Sequence, residues 1–162
     1  MSASRRVWEV LQRVPDPEIP VLTIVDLGIV RHADLDADGA VRVGLSPTYS
    51  GCPATAVIRT SVLQALHQAG FDRVEVQDVL APAWTSDWIT EDGRRKLREY
   101  GIAPPAHSVT SVRQIWQPTP EIACPRCDSH DTTRVSEFGS TPCKAHYRCN
   151  SCLEPFDYFK CH

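Results

Sequence analysis

Val7, Trp8, Val10, Leu11 and Val14 recur at helical spacing near the start of the chain, so residues 4–14 are predicted to form an amphipathic helix that ends before Pro15. The run Pro15-Asp16-Pro17-Glu18-Ile19-Pro20 cannot continue it. Its prolines remove backbone donors and bias their predecessors to extended geometry, which leaves an ordered turn projecting two carboxylates. Val21, Leu22, Ile24 and Val25 bring apolar side chains again, Asp26-Leu27-Gly28 interrupts them, and a strand is expected from Ile29. In the next run Val41, Val43 and Leu45 alternate with Arg42 and Gly44, and Asp36-Ala37-Asp38-Gly39 before it is a hairpin signal. These two strands should pair antiparallel.

A second helix is expected from about Pro53 to Ala69, marked by Val57, Leu63 and Leu66 with the smaller Ala56 and Thr60, and closed by Gly70. Residues 74–80 follow as a third strand. Residues 87–100 read as a further helix in which Glu91 and Asp92 precede Arg94, Arg95, Lys96 and Arg98, an order that suits the helix dipole. Gly101 and Pro104-Pro105 end it. Residues 106–120 are polar and β-branched, a last strand or an extended linker, and Pro118 and Pro120 mark a boundary. The pattern therefore predicts an α+β domain over 1–117, a small mixed sheet packed with helices, followed by a C-terminal four-cysteine zinc ribbon over 121–162. In the second module Phe138, Tyr147, Phe156, Tyr158 and Phe159 are a scant core, too little to fold without metal.

Composition narrows the function classes. The chain has 162 residues, 42% of them hydrophobic, and a net charge of -3. Residues 118–162 carry five basic and six acidic side chains, so the ribbon lacks the concentrated basic face that binding a phosphate backbone requires. The opening Met-Ser-Ala-Ser-Arg-Arg leads straight into the first helix without the apolar core of a signal peptide, and no run approaches a membrane span. A cytoplasmic location with no nucleic acid or membrane partner is expected. In a reducing cytosol, dense Cys-x-x-Cys spacing favours metal over disulfide.

Six of the seven cysteines fall in the last 39 residues. Cys124-Pro-Arg-Cys127 and Cys149-Asn-Ser-Cys152, separated by 21 residues, have the spacing of paired metal knuckles. Four thiolates give tetrahedral zinc with no open position, a structural site; rubredoxin-like iron and an unmetallated redox pair are the alternatives. For Cys143 and Cys161, a simple hairpin across the second knuckle would place Cys143 opposite Tyr158, with Cys161 three residues further along and on the other face. That register disfavours a disulfide between them and leaves two readings, buried small hydrophobes or a second soft-metal or iron-sulfur contact. His130, His146 and His162 are expected in solvent, because four thiolates complete the zinc shell.

Cys52 stands apart. Gly51 permits a tight turn before it and Pro53 favours a helix start after it, so the thiol is expected near a helix N-terminus, where free amides and the dipole favour a thiolate. A buried structural cysteine is the competing reading. Asp16, Glu18 and Asp26 are candidate carboxylate ligands or proton acceptors for that thiol, or simply the makers of local Asx-type bonds. No glycine-rich phosphate loop follows a strand, and no His-x-x-x-His or Ser-His-Asp grouping is recognisable.

Two segments, Asp16-Pro-Glu-Ile-Pro-Val-Leu-Thr-Ile-Val-Asp-Leu-Gly-Ile-Val30 and Thr48-Tyr-Ser-Gly-Cys-Pro53, resemble in order and spacing the signatures of the SufT-like and MIP-type iron-sulfur assembly-factor family. The tail, with Ser136-Glu-Phe-Gly-Ser-Thr-Pro-Cys-Lys144 and Glu154-Pro-Phe-Asp-Tyr-Phe-Lys-Cys161 around the knuckles, is similar to the branch encoded with the phenylacetyl-CoA epoxidase. The resemblance implies an accessory role in aerobic phenylacetate degradation: assembling or inserting a metal centre in a monooxygenase whose other subunits hold a di-iron site and a flavin plus [2Fe-2S] reductase. It implies that Cys52 is the family's reactive cysteine, handling iron or a cluster transiently, and that Asp16, Glu18 and Asp26 match its acidic positions. The partners implied are the reductase or oxygenase subunits, or a second copy of the chain in a homodimer. A non-catalytic structural or docking subunit of the same complex is the alternative, and a thiol oxidoreductase a more distant one.

Overall fold

The computed structural model describes residues 3–106 and 121–160. Its contacts divide the chain into two compact units, one ending at Gly93 and the other beginning at Arg94. Among the described residues, no helix is long and apolar enough to cross a membrane.

In the first unit, helix α1 (Ala3–Leu11) precedes strands β1 (Val30–Leu35) and β2 (Val41–Leu45), helix α2 (Ala54–Gln68) and strand β3 (Val74–Asp78). The sheet order is β1-β2-β3. The predicted hairpin forms, with β1 and β2 antiparallel, while β2 and β3 are parallel and α2 is the crossover, so the sheet is mixed. Gly39, at φ +81, makes the turn between β1 and β2. Val7, Leu11, Ile24, Val41, Val43 and Leu45 are fully or almost fully buried and form the centre of this unit's core.

Helix α2 ends as the sequence predicts. The Gly70 amide donates to the His67 carbonyl and the Phe71 amide to the Leu66 carbonyl, with Gly70 at φ +90, a Schellman termination. Its buried face differs from the expected one. Ala54, Ile58, Val62 and Leu66 point inward at four-residue spacing, whereas Val57 is half-exposed and Leu63 only partly covered. The helix has apolar or neutral residues nearly all round, so its phase is set by the sheet it covers rather than by its own pattern.

The helix expected over 87–100 is shorter. A 3-10 turn occupies Ser86–Trp88, capped by the Thr85 hydroxyl, which accepts from the Asp87 amide, and α3 covers Glu91–Glu99. The 84–90 segment around the first of these elements holds the Asp26-Leu27-Gly28 turn in place. Trp84 Nε1 donates to the Leu27 carbonyl at 2.8 Å, the Thr90 amide donates to the Asp26 carbonyl at 2.9 Å, and Gly28, at φ +66, packs directly against Trp88.

The second unit contains β4 (Ile102–Ala103), β5 (Thr132–Ser136), β6 (Lys144–Cys149) and β7 (Pro155–Phe159) in the order β4-β7-β6-β5. β4 runs parallel to β7 and the other pairs are antiparallel. Arg98 forms an ion pair with Asp128, and the Arg94 guanidinium donates to the Pro105 carbonyl. The Arg98 pair and the β4–β7 pairing place residues 94–106 in the same compact unit as the ribbon. The boundary expected at 118–120, and the strand or linker expected over 107–120, lie outside the described residues. Tyr147 stacks on Phe156 and meets Tyr158 edge-on over Ala103, Ile122 and Ala145, while Phe138, expected in this core, is largely exposed.

Candidate metal centre and cysteine loop

Each knuckle is a tight turn that aims its sulfurs at the other. In the first, the Asp128 amide donates to the Cys124 carbonyl at 3.0 Å; in the second, the Cys149 amide donates to the Glu154 carbonyl at 3.0 Å. Cys124 Sγ lies 3.8 Å from Cys152 Sγ, Cys127 Sγ lies 3.6 Å from Cys149 Sγ, and all four sulfurs fall within 4.8 Å of one another. A tetrahedron with zinc–sulfur bonds of about 2.3 Å has edges of about 3.8 Å, so the four residues fit zinc. Cys124 and Cys149 are buried while Cys127 and Cys152 reach the surface.

Amides and neighbouring sulfurs polarise the group. The Cys152 amide, 3.5 Å from the Cys149 sulfur, together with the Ser151 amide and the adjacent thiols, draws the Cys149 thiol down to about 6. The Glu154 amide acts to lower Cys152, but desolvation and the crowding of the other three sulfurs outweigh it and push that thiol up to about 12. Cys127 is raised as well, against the lowering effect of the Ser129 amide. One thiolate among four close sulfurs makes the next costly unless a cation neutralises them, which is the electrostatic signature of a cation-binding site. With zinc bound, the chemistry supplied is structural: four thiolates close the coordination shell.

The knuckles are also tied to each other. The Ser129 and Ser151 hydroxyls meet at 2.7 Å, and Asn150 Nδ2 donates to Asp131 Oδ1 at 2.8 Å and to Thr133 Oγ1 at 3.0 Å. No local sequence signal pointed to these residues.

The β6–β7 register differs from the simple hairpin. Lys144 pairs with Phe159 and the Lys160 amide donates to the Cys143 carbonyl, so Cys143 faces Lys160 rather than Tyr158. The knuckle loop accounts for the two-residue offset: Leu153 adopts φ +66, which lengthens the connection and moves the closing pair to Cys149 and Glu154. Cys143 is buried, its sulfur 3.1 Å from Thr141 Oγ1. Cys161 and His162 lie outside the described residues. His130 is exposed as expected, but His146 is partly covered, with Nδ1 3.3 Å from Asp157 Oδ1.

Cys52 sits in the first unit, half-buried, directly before Pro53, which is the N-cap of α2. Its amide donates to the Tyr49 carbonyl and its carbonyl accepts from the Thr55 amide, with Gly51 at φ +78 completing the turn. Asp16 and Asp26, both buried, use their carboxylates locally. Asp16 Oδ1 accepts from the Glu18 and Ile19 amides at 2.9 and 2.8 Å, and Asp26 Oδ2 accepts from the Thr23 amide at 2.9 Å while Thr23 Oγ1 accepts from the Asp26 amide. Glu18 is half-buried on the same turn as Asp16. Among the described residues the four ribbon cysteines are the one group of three or more Cys, His, Asp or Glu side chains close enough to share an ion; Cys52, Asp16, Glu18 and Asp26 do not assemble into another.

Comparison with known proteins also divides the chain in two. Residues 4–77 match the family described as "Iron-sulfur cluster assembly protein" and residues 109–160 the "PaaD zinc beta ribbon domain". The chain is 55% identical to one component of the "Putative 1,2-phenylacetyl-CoA epoxidase" of Escherichia coli (strain K12), across 96% of this chain and 91% of that protein. It is 34% identical to an "Fe-S protein maturation auxiliary factor" of Porphyromonas gingivalis (strain ATCC BAA-308 / W83), across 56% of this chain and 87% of the relative. A crystal structure of the "Domain of Unknown Function DUF59" from Bacillus anthracis superposes with a TM-score of 0.54 at 25% identity, covering 58% of this chain and 90% of that one. The chain thus belongs to the iron-sulfur cluster assembly family, in the branch that carries a C-terminal PaaD zinc ribbon.

Proposed function

We propose that this chain is an accessory factor that assembles or inserts an iron-sulfur centre in a multicomponent phenylacetyl-CoA epoxidase, acting in the cytoplasm without turnover of its own. The observation that carries this reading is the division of sulfur chemistry. Four thiols converge in one closed group, while Cys52 lies in the other unit, half-buried, with no intrachain ligand cluster around it among the described residues. One thiolate cannot satisfy iron or a cluster alone, so the cargo must take its other ligands from the receiving protein or from a second copy of the chain. Incomplete ligation is what makes release ready. Asp16, Glu18 and Asp26 shape the turn that precedes the first strand and supply carboxylates for cargo or proton handling. The zinc ribbon serves as a rigid docking surface for the reductase or oxygenase subunit.

The relatives named as iron-sulfur maturation factors support the assembly role, and the relative named as an epoxidase component supports the client. Co-expression of the reductase with the wild type or with Cys52→Ser, under anaerobic conditions, tests it. Lower cluster occupancy of the reductase with Cys52→Ser is expected. Equal occupancy, together with a factor that stays stoichiometrically bound to the purified epoxidase, would instead make the chain a docking subunit.

A further inference from the structure

We infer that strand β3 is the reference against which Cys52 is positioned, with Ser46 and Arg59 as the positioning residues. The Cys52 loop leaves β2 at Ser46 and joins α2 at Pro53. At its first end Ser46, 1% exposed, donates its hydroxyl to the Val79 carbonyl at 2.5 Å and its amide to the Ile29 carbonyl at 2.8 Å, while the Val79 amide donates to the Leu45 carbonyl at 2.7 Å. At the other end Arg59, in the second turn of α2, donates Nη1 to the Val76 carbonyl at 2.5 Å and pairs Nη2 with Asp78 Oδ1 at 2.6 Å. Both anchors therefore reach one short stretch, Val76 to Val79.

Between them the backbone bonds at Cys52 itself are long. The Cys52 amide bond to Tyr49 is 3.3 Å long and the Thr55 bond to the Cys52 carbonyl is 3.2 Å. The thiol inherits its place from the two ends. Ser46 suits its position because a buried hydroxyl satisfies the Val79 carbonyl, which an apolar side chain would leave short of a partner. Arg59 suits its position because its planar fork spans a backbone carbonyl and a carboxylate at once. For a carrier, this fixes the thiolate where an incoming ligand must find it. That consequence rests on the proposed function; the anchoring itself does not.

The two can be separated by measuring Cys52 alkylation in the full-length, zinc-loaded protein with iodoacetamide, between about pH 6.5 and 9, reading the Cys52 peptide by mass spectrometry. Ser46→Ala and Arg59→Met are each expected to speed Cys52 alkylation by about threefold or more, because the loop opens locally, while the native tryptophan fluorescence contributed by Trp8, Trp84 and Trp88 of the same unit is kept. Arg73→Met, which removes a surface pair with Asp38 in the same unit, should leave the rate unchanged. Rates for both anchor variants that match the wild type, or a rise accompanied by loss of the native tryptophan fluorescence, would overturn the inference; if one variant does not fold, the other decides. Retained iron in Cys52→Ser would overturn the carrier role and leave the anchoring result standing.

Discussion

Leu153 and Asp128 occupy equivalent places: each directly follows the second cysteine of a knuckle, and each adopts a left-handed backbone, at φ +66 and φ +60. Both positions would suit glycine, since a side chain there costs about 1–2 kcal/mol. Leu153 is 62% exposed and contributes little packing in return. Leu153→Gly should therefore stabilise the zinc-loaded protein by about 0.5–1 kcal/mol, after allowing for the greater freedom of an unfolded glycine. Asp128→Gly gains less relief, because aspartate visits the left-handed region more readily than leucine, and loses the ion pair with Arg98, a surface interaction worth about 0–1 kcal/mol, so it should come out near neutral. Thermal denaturation of the two variants in parallel checks both the sign and the difference.

Gly28 has no such freedom to change. A Cβ built there would stand 2.4 Å from the Trp88 carbonyl oxygen, and the backbone is left-handed at φ +66. Gly28→Ala must strain the turn and push the 84–90 segment off it, for a loss of about 2–4 kcal/mol. The Trp84 bond to Leu27 should fail with it, which a shift in tryptophan fluorescence at lower denaturant concentration would report.

The first helix, the β1–β2 hairpin and the Gly70 stop were legible because each is a local pattern. The inward face of α2 was not, because Ile58 and Val62 differ little in character from Val57 and Leu63 and only the sheet chooses between them. The β6–β7 register lies two residues from that of a simple hairpin, and a left-handed leucine leaves no mark in the sequence that would show it. The convergence of the four ribbon cysteines was legible from their spacing alone. Ser46 and Arg59 were not, since their partners on β3 become neighbours only through the parallel pairing of β2 with β3.

Proton release should follow the uneven thiols of the ribbon. Cys149, held at about 6, is already largely ionised at neutral pH in the metal-free protein, whereas Cys152, at about 12, is not. Zinc binding near pH 7.5 is therefore expected to release fewer than four protons, about three, rising toward four as the pH falls below the Cys149 value. Protons compete with the metal, so affinity falls with decreasing pH, and more steeply on the acid side of about 6. Zinc titrations in a weakly buffered indicator dye measure both quantities. Four protons released at pH 7.5 would mean that Cys149 is not the favoured thiolate or that the metal-free ribbon does not hold the fold that favours it.

The separation of a closed four-sulfur site from a lone thiol in another unit is tested most directly by the metal and acid-labile sulfide content of protein purified without oxygen. Wild type and Cys52→Ser should carry equal zinc, held by Cys124, Cys127, Cys149 and Cys152, with iron or sulfide in the wild type alone. Iron and sulfide at the same level in both proteins would contradict the assignment of Cys52 as the cargo ligand.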